Sequence, residues 1–452
     1  MSYKTTIVIA VLLILLGGYA YWFEYKGGQK KEEQKEKEKT LFEVKKEDVT
    51  QIQIEGIDPK PVILAPSGKD AWTLTQPLQA RADQGTVDRI LSAFEKLKYK
   101  EVIEEQPKDL SSYELDKPKL TIKLNLKGNA QRAISIGAKN PIDNVYYIKA
   151  NNDPRVYLAE GTLGDLSSIT LLDLRDKKLT DFSSEKVESV SMKTAQLDLQ
   201  FKKENGVWKI LKPVQSTASD SEVTSLLSSL ENLRATSFVD DPQADVTKYG
   251  LDKPFASVEL VLEKGLRQKL DFGKTGEETY CRIEGNPAIA AVGDTLNATF
   301  EKKLEDWREK KVLAFNRFDV EEFRVKIGGK EYAFKKGESD KWNQLSPAKG
   351  EIEYDQIQSV LEKVESAEIS KYGEQTALTA PPSAEISLTM KDWQEKTTKK
   401  HLSFGPVEQN LQQIKNDDYG TIVYAPDSFL KDLEKALNDL KPKPPAPAEK
   451  KK

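Results

Sequence analysis

The sequence repeats one six-residue pattern three times: Trp72-Thr-Leu-Thr-Gln-Pro77, Trp208-Lys-Ile-Leu-Lys-Pro213 and Trp342-Asn-Gln-Leu-Ser-Pro347. The second copy begins 136 residues after the first, and the third 134 residues after the second. Self-similarity at a nearly fixed period indicates one structural unit in tandem copies. We interpret each tryptophan as a core anchor, since a buried aromatic side chain removes about 150–250 Å² from water. A platform of aromatic rings for a ligand is the alternative.

An amphipathic helix is predicted after each tryptophan. Apolar residues fall at i, i+3, i+4, i+7 and i+10, which places them on one stripe of a helix. The positions are Val87, Ile90, Leu91, Phe94 and Leu97, then Val223, Leu226, Leu227, Leu230 and Leu233, then Ile357, Val360, Leu361, Val364 and Ala367. Ser219-Asp-Ser-Glu222 predicts a capping box at the start of the second helix, with the serine oxygen accepting from a free amide.

A second motif follows the helices. It occurs as Tyr113-Glu-Leu-Asp-Lys-Pro118 and Tyr249-Gly-Leu-Asp-Lys-Pro254, and only as Tyr372-Gly-Glu in the third copy. Its structural residues are Tyr113, Asp116, Pro118, Tyr249, Asp252 and Pro254. The motif predicts a turn in which the aspartate bonds nearby backbone and the proline ends local helix. A recognition loop is the alternative.

Alternating apolar and polar residues predict strands in each copy. The runs are 120–126, 258–262 and 385–390. Two hairpin turns are predicted, at Lys203-Glu-Asn-Gly206 and at Pro66-Ser-Gly68. Further along each copy, Gly137, Gly273 and Gly405 follow an apolar residue and are predicted to close a strand.

The motifs divide the chain into three units, predicted at 40–178, 179–312 and 313–440. The first two end in Asp173-Leu-Arg-Asp-Lys-Lys178 and Asp306-Trp-Arg-Glu-Lys-Lys311, and the third lacks this ending. Strands joined by tight turns form antiparallel sheets, so the predicted fold class is α+β, with three tandem sheet-plus-helix domains. The other predicted segments are a tail (1–4), an apolar anchor (5–23), a charged spacer (24–39) and a disordered Pro/Lys-rich tail (441–452).

The apolar segment Thr5–Phe23 contains 19 uncharged residues. As a helix rising about 1.5 Å per residue, it would be about 28 Å long, close to the roughly 30 Å hydrocarbon core of a bilayer. Tyr19, Tyr21 and Trp22 lie at its end, where aromatic rings favour the headgroup layer. The sequence predicts a single transmembrane anchor, with a cleaved signal peptide as the alternative. Lysines on both sides leave the orientation undecided.

The composition excludes several classes of function. The 452 residues include 69 Lys and Arg against 73 Asp and Glu, with the signs interleaved, so nucleic-acid binding is not expected. Cys281 is the only cysteine and His401 the only histidine. They rule out an intrachain disulfide and a cysteine-based zinc cluster, and leave little material for a catalytic triad. We predict no catalytic, cofactor-binding or metal-binding residues, and we interpret Asp240, Asp241 and Asp245 as a solvated loop.

These motifs together resemble an uncharacterised bacterial family catalogued as domain of unknown function 4340. The resemblance covers most of residues 40–440 and rests on structural motifs, so it transfers no catalytic residues. It implies a membrane-tethered, extracytoplasmic companion of an ABC-type export system associated with gliding-motility components. It also implies a single-pass protein of the inner cell membrane whose body faces the periplasm.

The leading functional hypothesis is a non-enzymatic, membrane-anchored scaffold that binds integral-membrane or envelope proteins, because repeat arrays present extended surfaces to partners. One alternative is an envelope hydrolase that uses a pair of carboxylates, since 73 acidic residues offer many pairs. Another is a periplasmic module that binds a small ligand or lipid, which would need an apolar cavity.

Overall fold

The computed structural model describes residues 39–57, 60–142, 145–159, 163–239, 244–337 and 341–443, together with residues 3, 14–19, 21 and 22. The chain divides into two compact units, Met1–Leu179 and Thr180–Lys452. In the described residues the first unit contains one antiparallel sheet and the second contains two.

The first unit contains a ten-stranded sheet and one long helix. Its strands are β1 (Thr40–Glu43), β2 (Val49–Glu55), β3 (Val62–Gly68), β4 (Ala71–Gln76), β5 (Ala80–Arg81), β6 (Lys96–Glu104), β7 (Leu120–Leu126), β8 (Gln131–Lys139), β9 (Tyr146–Ala150) and β10 (Val156–Ala159). Its helices are α1 (Gln84–Glu95), α2 (Leu163–Leu166) and α3 (Leu171–Leu174). The strand order is β1-β6-β10-β9-β8-β7-β2-β3-β4-β5.

The second unit begins with a nine-stranded sheet. Its strands are β11 (Val187–Thr194), β12 (Asp198–Glu204), β13 (Val207–Lys212), β14 (Ser216–Thr217), β15 (Ala235–Val239), β16 (Ala256–Leu262), β17 (Arg267–Thr275), β18 (Glu278–Ile283) and β19 (Ile289–Val292). The accompanying helices are α4 (Asp220–Glu231), α5 (Asn297–Phe300) and α6 (Leu304–Trp307).

A third sheet, also nine-stranded, completes this unit. Its strands are β20 (Val320–Ile327), β21 (Lys330–Lys336), β22 (Trp342–Ser346), β23 (Gly350–Ile352), β24 (Lys371–Tyr372), β25 (Ala384–Lys391), β26 (Thr397–Glu408), β27 (Leu411–Asn416) and β28 (Val423–Pro426). Its helices are α7 (Tyr354–Glu365) and α8 (Ser428–Asn438).

The three sheets share one strand order. The second is β15-β19-β18-β17-β16-β11-β12-β13-β14 and the third β24-β28-β27-β26-β25-β20-β21-β22-β23, which match the first sheet from β6 to β5. The long helices α1, α4 and α7 follow the same strand in each case. These sheets confirm the predicted α+β class with repeated antiparallel sheets.

The long helices contain the first four positions of each predicted apolar stripe, and all twelve side chains are buried. The prediction is wrong for the fifth position, because Leu97, Leu233 and Ala367 lie beyond the helix ends. Leu97 instead belongs to β6 and pairs with Phe42 of β1. The helix ends where the chain begins to pair with an extended segment.

The capping box predicted at Ser219 is absent, although Ser219 is the N-cap residue of α4. Its hydroxyl lies 3.0 Å from that of Ser221, and Glu222 pairs with Lys302 instead of reaching back. In α1 the equivalent residue Asp83 does cap the helix, because its carboxylate accepts from the Thr86 amide at 2.8 Å.

One of the two predicted hairpin turns is confirmed. Glu204 pairs with Val207, and Asn205 and Gly206 between them have φ values of 51° and 86°, the left-handed conformation that a two-residue turn requires. The turn predicted at Pro66-Ser-Gly68 is wrong, since β3 continues to Gly68 and pairs it with Ala71.

The predicted anchor over residues 5–23 lies largely outside the described residues, of which 14–19, 21 and 22 are helical. In the part of the chain that the structure describes, no helix has the length and hydropathy needed to cross a membrane. Residues 1–2 and 4 of the predicted tail, nearly all of the charged spacer, Asp240, Asp241 and residues 444–452 also lie outside the described ranges.

Candidate functional site

The sequence Asp306–Val312 joins the second sheet to the third, and we call it the connector. On one side Arg308 forms a bridge to Ala218 at the edge of the second sheet. On the other side Lys311 forms a bridge to Glu368, and the Val312 amide donates to the Ala367 carbonyl at 2.9 Å. The connector therefore closes one edge of each sheet.

The equivalent ending of the first unit explains why the motif recurs. Arg175 bridges to Ala82, and the Asp176 amide donates to the Arg81 carbonyl at 2.9 Å. The first aspartate of the motif caps a short helix, since Asp173 accepts from the Thr170 amide at 3.1 Å and Asp306 from the Lys303 amide at 2.9 Å. In the third sheet Lys443 pairs with Glu351 at the corresponding edge, although the motif is missing there.

The third sheet holds the connector through its backbone carbonyls. The Tyr419 hydroxyl donates to the Lys311 carbonyl at 2.6 Å, and the Asn416 amide donates to the Val312 carbonyl at 2.8 Å. Tyr372 donates to the Glu309 carbonyl, and the Arg308 guanidinium lies 4.3 Å from the centre of the Tyr372 ring. Burial raises the pKa of both tyrosine hydroxyls, so they remain protonated donors.

A lysine of the second sheet completes this junction. The Lys209 ammonium donates to the Asp418 carbonyl at 2.6 Å and to the Thr217 hydroxyl at 2.9 Å. The Thr217 hydroxyl donates in turn to the same carbonyl at 3.0 Å. Removal from water lowers the pKa of Lys209, because its partners here are neutral. The Asp418 carboxylate is neutralised by Lys400 at 2.7 Å.

An open cleft of about 830 Å³ lies at this junction, and we call it the junction cleft. The second sheet lines it with the β12–β13 turn (204–207), Lys209 and Thr217, and the third sheet lines it with residues 396–400 and Asp418. Its lining is mostly charged and polar. The arrangement suits the binding of a polar or charged group better than the binding of an apolar ligand.

The side chains with chemical potential lie apart. Cys281 is buried in β18 of the second sheet, as expected, and burial raises the pKa of its thiol. His401 lies on β26 of the third sheet, with Nδ1 2.9 Å from the Ser387 hydroxyl and Nε2 3.1 Å from the Ser403 hydroxyl. Within the described residues no three His, Cys, Asp or Glu side chains cluster in a way that could hold a metal ion.

The repeated tryptophans are structural. Trp72, Trp208 and Trp342 are buried, so their rings are not exposed as a platform for a ligand. The motif prolines Pro77, Pro213 and Pro347 each follow a cis peptide bond at the end of the tryptophan strand.

The tyrosine motif forms a turn, but different aspartates build it. The side chains of Asp116 and Asp252 make no hydrogen bond in the described structure, contrary to the prediction. The backbone is held instead by Asp109, which accepts from the Ser111 amide at 2.8 Å, and by Asp245, which accepts from the Thr247 amide at 3.1 Å. These bonds lower the pKa of both carboxyls.

The repeated glycines lie within strands and do not end them. A Cβ atom at Gly137 would be 2.2 Å from the Tyr113 carbonyl oxygen, and one at Gly273 would be 2.1 Å from that of Tyr249. The tyrosine turns therefore rest directly on the glycines. Beside them, the rings of Tyr113 and Tyr147 are 5.0 Å apart.

A family profile described as "Domain of unknown function (DUF4340)" matches this chain twice, over residues 72–218 and 208–389. The two matches begin at the first and second tryptophans of the repeat. No curated protein matches the chain. One solved structure that is similar over 84% of this chain and 92% of its own is titled "Crystal structure of the DNA polymerase III subunit beta from Pseudomonas aeruginosa". Its identity of 8% and TM-score of 0.16 support no argument about fold or function. Because the two profile matches together span more than half of the sequence, the chain belongs to the family of the domain of unknown function DUF4340.

Proposed function

We propose that this protein is a non-enzymatic, membrane-anchored scaffold on the extracytoplasmic side of the cell membrane, where it partners an ABC-type export system. The observation that carries the proposal is the junction cleft, which two sheets form around a connector bonded to both of them. An open, charged cleft between two fixed sheets suits a segment of another protein better than a small apolar molecule.

The sequence supports the membrane part of the proposal. The uncharged run Thr5–Phe23 has the length of a single span, and lysine and glutamate alternate in the spacer that follows. Three repeat units at 40–178, 179–312 and 313–440 would then extend from this anchor. The link to an export and gliding-motility system comes from the family resemblance.

Affinity capture of the full chain in mild detergent tests the partnership. Val207 lines the junction cleft and is 43% exposed, whereas Val214 of the same sheet is 39% exposed and does not line the cleft. We expect transporter subunits to co-purify with the wild type and with Val214→Glu but not with Val207→Glu. Repeated captures without any transporter subunit would contradict the proposal.

Protease treatment of spheroplasts tests the orientation. We expect external protease to digest residues 40–443 while the N-terminal segment stays in the membrane fraction. Full protection of the chain in intact spheroplasts would place the body in the cytoplasm and refute the extracytoplasmic assignment.

A further inference from the structure

The β25–β26 hairpin is longer than its counterparts in the other two sheets. In the second sheet the paired residues run from Ala256–Phe272 to Val261–Arg267, which is six pairs, and the first sheet also has six. In the third sheet they run from Ala384–Phe404 to Lys391–Thr397, which is eight pairs. Two additional pairs extend the hairpin by about 7 Å, at about 3.4 Å per residue.

The hairpin holds a tryptophan at its tip in solvent. Trp393 is 88% exposed, and Leu266 at the tip of the second sheet's hairpin is 65% exposed. The turn is ordered by Asp392, whose carboxylate accepts from the amides of Gln394 and Lys396, each at 2.9 Å. An aromatic side chain on a fixed turn loses little conformational freedom on binding, and tryptophan is enriched among the residues that dominate interface energies.

Unpaired lysines lie between this tip and the junction cleft. Lys396 and Lys399 line the cleft together with Lys209. Within the described ranges, none of the three has a carboxylate at ion-pair distance, whereas Lys400 is neutralised by Asp418.

The carboxylates of the cleft are largely engaged elsewhere. Glu204 pairs with Lys202 at 3.3 Å, and Glu309 accepts from the amides of Lys310 and Lys311. Only Asp220 offsets the three lysines. The cleft thus has a surplus of positive charge beside an exposed tryptophan.

We propose that the Trp393 hairpin and the junction cleft bind an acidic, extended segment of a partner protein. Trp393 packs on an apolar side chain of the segment, and Lys396 and Lys399 pair with its carboxylates. Complementary charge fixes the register and speeds association. A flat bilayer could contact the hairpin tip but could not fill the cleft, so the cleft favours a protein segment. This inference rests on the proposed scaffold function and names the chemistry of the partner.

Fluorescence anisotropy with the full chain in detergent tests the inference. The probe is a short fluorescein-labelled peptide of alternating glutamate and leucine, and a lysine–leucine peptide is its matched control. We expect the acidic probe to bind the wild type, and Trp393→Ala and Lys396→Glu/Lys399→Glu each to weaken binding by about tenfold or more. Leu266→Ala and Lys264→Glu, on the counterpart hairpin, serve as controls and should leave binding unchanged.

Three outcomes would overturn the inference. They are no binding of the acidic probe, equal binding by all variants, and Trp393-dependent binding to phosphatidylglycerol vesicles without peptide binding, which would assign the hairpin to the membrane. Transporter capture that is unaffected by Trp393→Ala would leave the scaffold in place and refute the role of the hairpin. Peptide binding without transporter capture would do the reverse.

Discussion

The Lys209 ammonium lies 2.6 Å from the backbone carbonyl of Asp418, although 209 positions separate the two residues. The contact joins a strand of the second sheet to a turn of the third, and Thr217 bonds the same carbonyl at 3.0 Å. Asn416, on the other side of that turn, bonds the connector. The turn is therefore held by two sheets at once.

Lys209→Met should loosen this junction. The methionine keeps most of the apolar stem but loses two hydrogen bonds, which should cost about 1–3 kcal/mol of stability. Hydrogen exchange of the amides in residues 416–420 should become faster than in the wild type. Lys212→Met, at the exposed end of the same strand, is the control and should leave these rates unchanged. Unaltered exchange in Lys209→Met would show that the bonds do not hold the turn.

Trp208→Ala should destabilise the second unit strongly. Trp208 is almost fully buried, and truncating such an aromatic costs about 3–5 kcal/mol. Trp307→Phe should cost less, about 2 kcal/mol or below, because the buried indole nitrogen of Trp307 has no hydrogen-bond partner to lose. Urea unfolding of residues 180–443 measures both. A Trp208→Ala midpoint equal to that of the wild type would remove Trp208 from the core.

Local patterns predicted the elements that depend on local physics. The Asn205-Gly206 turn follows from the left-handed backbone that these residues tolerate, and β7 matches the predicted run 120–126. The helix ends were missed at Leu97 because pairing with β1, more than 50 residues away, ends the helix there.

The junction could not be predicted, because Lys209 and Asp418 meet only once two sheets are placed side by side. The aspartates of the tyrosine turns did carry a signal. Asp109 and Asp245 each precede a hydroxyl residue by two positions, a spacing typical of side-chain-to-backbone turns, and they are 136 residues apart like the other motifs. Period and turn chemistry together would have identified them.

Gly137→Ala should destabilise the first unit, because the new Cβ would be 2.2 Å from the Tyr113 carbonyl oxygen and the turn would have to move. A shift of this kind costs about 1–3 kcal/mol. Gly85→Ala in helix α1 is the matched control, since its Cβ would meet nothing closer than 3.5 Å and the change should add about 0.5–1 kcal/mol. Thermal unfolding of both variants should shift in opposite directions, and a shift in the same direction would contradict this account of the repeated glycines.

Asp153→Asn should make the stability of the first unit less dependent on pH. The Asp153 carboxylate accepts from Arg155 Nε at 3.0 Å, from Arg155 Nη2 at 2.8 Å and from the hydroxyl of buried Tyr157 at 2.7 Å. The bonds from Arg155 hold the pKa of Asp153 well below its ordinary value. Because the folded pKa lies below the unfolded value of about 3.9, the contribution is complete above that pH and falls as the pH drops below it.

At pH 7 the asparagine variant should therefore be less stable than the wild type by about 1.5–3 kcal/mol, the usual worth of hydrogen bonds to a charged group. Near pH 2 the difference should be clearly smaller, because protonation of the unfolded chain then weakens the wild type alone. Urea unfolding at both pH values measures the difference. Asp116→Asn is the matched control, since that carboxylate makes no hydrogen bond in the described structure, and it should change little at either pH. A difference of the same size at both pH values would mean that the charge of Asp153 does not stabilise the fold.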